Sequence, residues 1–202
     1  MSSEPSTRNE LSVRAPGEFV SRVLVDTGSP QHRDLDQIVL LIHGYQNSET
    51  KARRAFERFE TGLRTMAGAA MRDVGIWDFQ WPGSHPVWPI SVATYSNKVG
   101  AAELSAERLV RQWLALLRPD QSVYIVAHSL GCRVAMAAMQ TIAEMYEEPA
   151  GYPGARVRKV FLLAAAVPVR LCVPGRTFGA AVDASRQYVF HSRSDRVLQD
   201  PG

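Results

Sequence analysis

Ala127-His128-Ser129-Leu130-Gly131 is the part of the chain best suited to covalent chemistry. Ser129 lies between the apolar run Val123-Tyr124-Ile125-Val126 and a helical pattern that starts at Cys132. A serine on such a strand-to-helix turn is held in a strained backbone conformation, with Oγ lifted clear of the sheet edge as a nucleophile. The residues two before and two after must then be small, or their side chains collide with the strand and helix they join. Gly131 meets that need, and Ala127 adds one methyl. The turn also leaves the Leu130 N–H at a helix N-terminus, where it can face a developing oxyanion. The pentapeptide alone fits equally well a plain strand-turn-helix joint with a serine N-cap. The rest of the chain has to decide.

Two further segments suit acyl transfer. His43-Gly44-Tyr45 follows the apolar run Gln37-Ile38-Val39-Leu40-Leu41-Ile42. A glycine there lets the chain fold back so that the Tyr45 N–H supplies a second oxyanion donor, each donor being worth about 3 kcal/mol. His43 reads as a structural imidazole that shapes this loop rather than as the base. Asp195, in Ser192-Arg193-Ser194-Asp195-Arg196-Val197-Leu198, follows the last strand pattern. A carboxylate at that tip can orient an imidazole, and it is also a common turn residue. The chain order, serine before aspartate, favours the catalytic reading.

These residues need a scaffold that brings them to one rim. Residues 1–17 are polar and read as a flexible tail, and 18–202 read as a single domain. Phe19–Asp26 alternates as an outer strand. Asn47 or Ser48 caps a helix with Ala52, Ala55, Phe56, Phe59 and Leu63 on one face. Val74–Trp81 is a strand broken by Pro82-Gly83. Ala102, Ala106, Leu109, Val110, Trp113, Leu114 and Leu117 stripe a long helix that ends at Arg118-Pro119. After the elbow helix, with Val134, Ala138, Ile142 and Met145 inward, come strands at Val157–Ala165 and Gln187–Ser192. Strands alternating with helices over short connections imply an α/β fold with a mostly parallel, doubly wound sheet. Ligands of such sheets sit at the carboxyl ends of the strands. The tips at His43, Trp81, Ser129 and Ser192 all gather there.

Composition excludes other classes. The net charge is only +3 over 202 residues, and the basic residues are scattered, so nucleic acid is not expected as a partner. Cys132 and Cys172 belong to no metal-ligand spacing, and Cys132 reads as a small buried thiol. No run approaches a membrane span, and Met1–Gly17 has no signal-peptide core, so a cytoplasmic protein is the default.

Four motifs in order are specific where one is weak. Leu41-Ile42-His43-Gly44-Tyr45-Gln46-Asn47, Trp81-Pro82-Gly83, Ala127-His128-Ser129-Leu130-Gly131 and Ser192–Leu198 resemble the α/β-hydrolase superfamily, and within it a bacterial branch with HGY, WPG, AHSxG and S..D..L motifs. The resemblance covers residues 36–198. It implies Ser129 as nucleophile, Asp195 as its acid partner, and Tyr45 and Leu130 as oxyanion donors. His43, Gly44, His128 and Gly131 would support the loops. It also implies hydrolysis of a small-molecule ester or related acyl bond, without a cofactor, and the residue spacing suggests no metal site.

One departure stands out. In that superfamily the catalytic histidine follows the acid, and no histidine follows Asp195. The five histidines are His32, His43, His85, His128 and His191. His128, the elbow's variable residue, is expected to point away from the nucleophile's exposed side, and His191 to lie within the last strand against a helix. His32 reads as a loop residue far from the rim, and His85, in Trp81-Pro82-Gly83-Ser84-His85-Pro86, is left as a candidate non-standard base that no family pattern supports. Three explanations compete: a fragment of a longer hydrolase lacking its C-terminal strand and helix, a natural protein that lost them, or an imidazole from another chain. The intact motifs favour the first. An exposed sheet edge would then promote self-association. Loss of one triad member lowers turnover by roughly 10⁴- to 10⁶-fold, so the expected activity is weak. The alternative is a non-catalytic interaction module on the same fold. Pro86–Ile90 forms an apolar stretch that could line an acyl pocket.

Overall fold

The alternation read from the sequence builds a single sheet with helices on both faces. A computed structural model describes residues 9–14, 18–23, 35–45, 48–83 and 95–191. Its strands are β1 (Asn9–Arg14), β2 (Glu18–Val23), β3 (Gln37–Ile42), β4 (Val74–Gln80), β5 (Ser122–His128), β6 (Arg156–Leu163) and β7 (Arg186–Phe190). They lie in the order β2-β1-β4-β3-β5-β6-β7. Only β1 and β2 pair antiparallel, and every other neighbouring pair is parallel. The helices are α1 (Glu49–Ala67), α2 (Tyr95–Gln112), α3 (Gly131–Glu147) and α4 (Gly179–Asp183).

The period-two pattern of the strands divides the interior. Ile38, Leu40 and Ile42 of β3, with Trp77 and Phe79 of β4, join α2, α3 and α4 in the larger core. Val39 and Leu41, with Val74 and Ile76, meet Ala52 and Phe56 of α1 on the other face. Central parallel strands are thus buried on both faces, which is why β3 reads as an unbroken apolar run. The expected stripe of α2 is buried throughout, although the α-helix ends at Gln112 and a 3₁₀ turn, Leu114–Leu116, carries the chain on. Ser48 is the α1 N-cap, its Oγ accepting from the Lys51 N–H at 3.4 Å.

Two expectations fail. Residues 9–14 are not tail but strand β1, hydrogen-bonded to β4 and β2. Leu11 and Val13 alternate with Glu10 and Ser12, a period-two signal hidden by polar neighbours. Glu10 is buried in the α1-facing layer because Arg53 of α1 bonds it at 2.8 Å. In α1 the buried positions are Ala52, Phe56 and Glu60, whereas Ala55 and Phe59 face outward. Glu60 tolerates burial because Arg64 meets it at 2.8 Å. At the other sheet edge β7 leaves Val189 and Phe190 exposed. No helix among the described residues is long and apolar enough to cross a membrane.

Candidate active site

Strand β5 delivers His128 and then Ser129, whose φ of 53° lies in the left-handed region. Helix α3 begins two residues later. A non-glycine residue in that conformation is strained and persists only where its surroundings fix it. Here the surroundings are backbone. The Ser129 N–H donates to Leu163 O at 2.9 Å, and Ser129 O accepts from the N–H groups of Cys132 at 3.0 Å and Ala166 at 3.2 Å. The tip of β6 therefore grips the serine's peptide groups from both sides. Ala164, at φ 47°, is the only other described non-glycine residue with positive φ. It turns the chain back so that Ala166 reaches the serine, and its own N–H donates to Phe190 O of β7 at 2.7 Å. These β6 residues were not anticipated from sequence. The available signal was the run of three small residues, Ala164-Ala165-Ala166, directly after an apolar strand.

The β3 tip sits on the elbow from the other side, and two glycines make that approach possible. A Cβ on Gly131 would overlap the His43 carbonyl oxygen and lie 2.9 Å from Ile42 O. A Cβ on Gly44 would lie 2.9 Å from both Ser129 Cβ and His128 Nδ1. His128 is exposed at the same rim, beside the His-Gly turn rather than turned away from it. Leu130 is fully buried, and its N–H makes no hydrogen bond among the described residues. Tyr45 is half-buried and packs against the larger core.

His43 is locked. Its Nε2 accepts from the Trp81 N–H at 3.2 Å, which places the proton on Nδ1, bonded to Gly44 O at 2.8 Å. The Trp81 Nε1–H donates to His43 O at 2.8 Å, and the two rings stack with centroids 5.7 Å apart. The Trp-Pro-Gly and His-Gly turns are thus pinned to one another, and neither imidazole nitrogen is left to take a proton from Ser129. Burial lowers the His43 pKa from 6.5 to about 4. The unfolded chain therefore binds a proton that the folded chain refuses between those values. Stability is complete above roughly pH 6.5 and falls as pH drops toward 4, by about 3 kcal/mol in full. Denaturant titrations near pH 7 and pH 4 on wild type and His43→Asn check this. The variant should lack that share of the acid loss, and an equal loss in both proteins would contradict a buried neutral imidazole.

Cys132, one turn past the elbow, is a buried thiol bonded to Ala127 O at 3.3 Å, and burial pushes its pKa up to about 12. It is not a competing nucleophile. His191 follows β7 directly and is exposed rather than packed within the strand. Asp195, His85, His32, Pro86–Ile90 and the Ser192–Leu198 motif lie outside the described residues. Among the described residues no His, Cys, Asp and Glu grouping could hold a metal ion, and no histidine hydrogen-bonds the Ser129 hydroxyl.

A parallel sheet whose central strand turns a left-handed serine into a helix, with a His-Gly turn seated against it, defines an α/β-hydrolase fold. The chain belongs to the family of alpha/beta hydrolases of unknown function (DUF900), which matches residues 28–200. No curated protein matches the chain.

Proposed function

We propose that the protein is a serine hydrolase cleaving a small carboxylic ester or related acyl bond through an acyl-enzyme on Ser129. The observation that carries this is the strained serine, fixed by backbone bonds from β6 and abutted by Gly44. Strain of this kind costs on the order of 1–3 kcal/mol and clusters at functional sites. In the reaction Ser129 Oγ loses its proton to a base and attacks the acyl carbon. The carbonyl oxygen becomes an oxyanion facing the Leu130 N–H, a buried donor with no described partner, and the Tyr45 N–H. Collapse expels the alcohol, and water then releases the acid from Ser129. Asp195 orients the imidazole that serves as base. His43 does not fill that role, because both of its ring nitrogens are engaged. Exposure of Val189 and Phe190 on the outermost strand favours self-association through that edge.

Labelling with a fluorophosphonate, which reacts with an activated serine hydroxyl, tests the reading. The expected adduct maps by mass spectrometry to Ser129 and disappears in Ser129→Ala. An adduct at another residue, or none under prolonged excess probe, sinks the proposal and favours the non-catalytic alternative.

A further inference from the structure

Helix α3 starts at the elbow and ends beside a groove that the hydrolase chemistry does not use. Tyr146 lies fifteen residues beyond Gly131, about 22 Å along the helix. The groove is formed where the second half of α3 meets the first residues of β6 and the segment entering β7. Because the sheet is parallel here, these strand starts are at the opposite edge from Ser129. We propose that this groove binds a small amphiphilic anion, an aromatic or short-chain carboxylate, at a site separate from the serine.

Its size, lining and charge converge on that class of ligand. The cavity measures about 370 Å³, within the range of small-molecule sites. Met139 and Ile142 lie at its floor, both buried. Tyr146 stands 58% exposed against the edge of buried Tyr152, ring centroids 5.5 Å apart, and offers an open aromatic face. Such a face, free of contact on one side, suits a flat apolar body. Arg156 and Arg158 line the same groove, and no carboxylate among the described residues does. Arg158 donates from Nε to Ser122 Oγ at 3.2 Å, whereas the Arg156 guanidinium meets no partner among the described residues. A guanidinium presents paired donors that match a carboxylate.

Naphthalene-2-carboxylate is the probe, titrated against the whole protein by ligand-observed NMR, with neutral 2-naphthamide beside it. Saturable binding of the carboxylate is expected, at least about tenfold tighter than the amide. It should weaken by a similar factor in the Arg156→Ala/Arg158→Ala double variant and in Tyr146→Ala. These positions are exposed, and circular dichroism will confirm that each variant is folded. Ser129→Ala should bind as wild type does, which separates this site from the elbow. No saturation by roughly 1 mM, equal affinity for acid and amide, indifference to the arginine and tyrosine changes, or loss in Ser129→Ala would each overturn the proposal. Failure of fluorophosphonate labelling leaves it intact, since nothing in the groove depends on Ser129.

Discussion

Gly131→Ala is expected to lower stability by at least about 2 kcal/mol, equivalent to a fall of roughly 4–8 °C in Tm for a domain of this size. One methyl has this effect because of what it meets. The new Cβ overlaps the carbonyl oxygen of His43 and comes within 2.9 Å of Ile42 O. Both are backbone atoms at the buried end of β3, so no rotamer change relieves the contact. The His43 peptide cannot retreat, because its oxygen accepts from Trp81 Nε1 and its ring is stacked on the indole. Alanine is ordinarily the better helix former by about 1 kcal/mol. At the start of α3 that preference works against the expected loss, so a clear drop isolates the clash. Thermal melts of the two proteins decide it. An unchanged Tm would mean that the elbow does not rest on the β3 tip.

The second large effect falls on reactivity. Gly44→Ala should slow fluorophosphonate labelling of Ser129 by about 10²-fold while costing less stability than Gly131→Ala. The added Cβ lies 2.9 Å from Ser129 Cβ and 2.9 Å from His128 Nδ1. The exposed imidazole can swing away, but the serine Cβ is carried by a backbone gripped through Leu163 and Ala166. The compromise displaces the His-Gly turn, and with it the Tyr45 N–H, relative to Ser129. A shift of about 1 Å at a reacting centre is enough for a hundredfold loss. Pseudo-first-order labelling rates and melting temperatures, taken together, check this. Wild-type labelling in the variant would show that the turn plays no part in presenting the serine.

How much of this was legible depends on how local each signal is. β3 was readable to the residue, because a strand buried on both faces is a continuous β-branched and leucine run. The elbow was readable because its small residues and serine are contiguous. The α2 stripe was readable because one long helix repeats its pattern several times. β1 was lost because burial of Glu10 depends on Arg53, a partner forty-three residues away that no local window contains. In α1 the choice between Phe59 and Glu60 as the inward residue was settled by packing and by Arg64, not by hydrophobicity. His43 was read as a loop-shaping residue, and the hydrogen bond that holds its ring joins two turns thirty-eight residues apart. The β6 contribution to the elbow was invisible for another reason, since it is made by peptide groups.

That last feature bears on how this protein would respond to dissection. Two of the three hydrogen bonds on the Ser129 peptide come from main-chain atoms of Leu163 and Ala166, and the Ala164 N–H ties the same loop to Phe190 on the outermost strand. Alanine scanning would pass straight over this arrangement, because two of the three loop residues are already alanine and none of the bonds involves a side chain. The pose of Ser129 is therefore a collective property of β5, β6 and β7. Lifting the outer strand would disturb the serine without any residue near it having changed, so the turn at the centre of the sheet inherits the integrity of its margin.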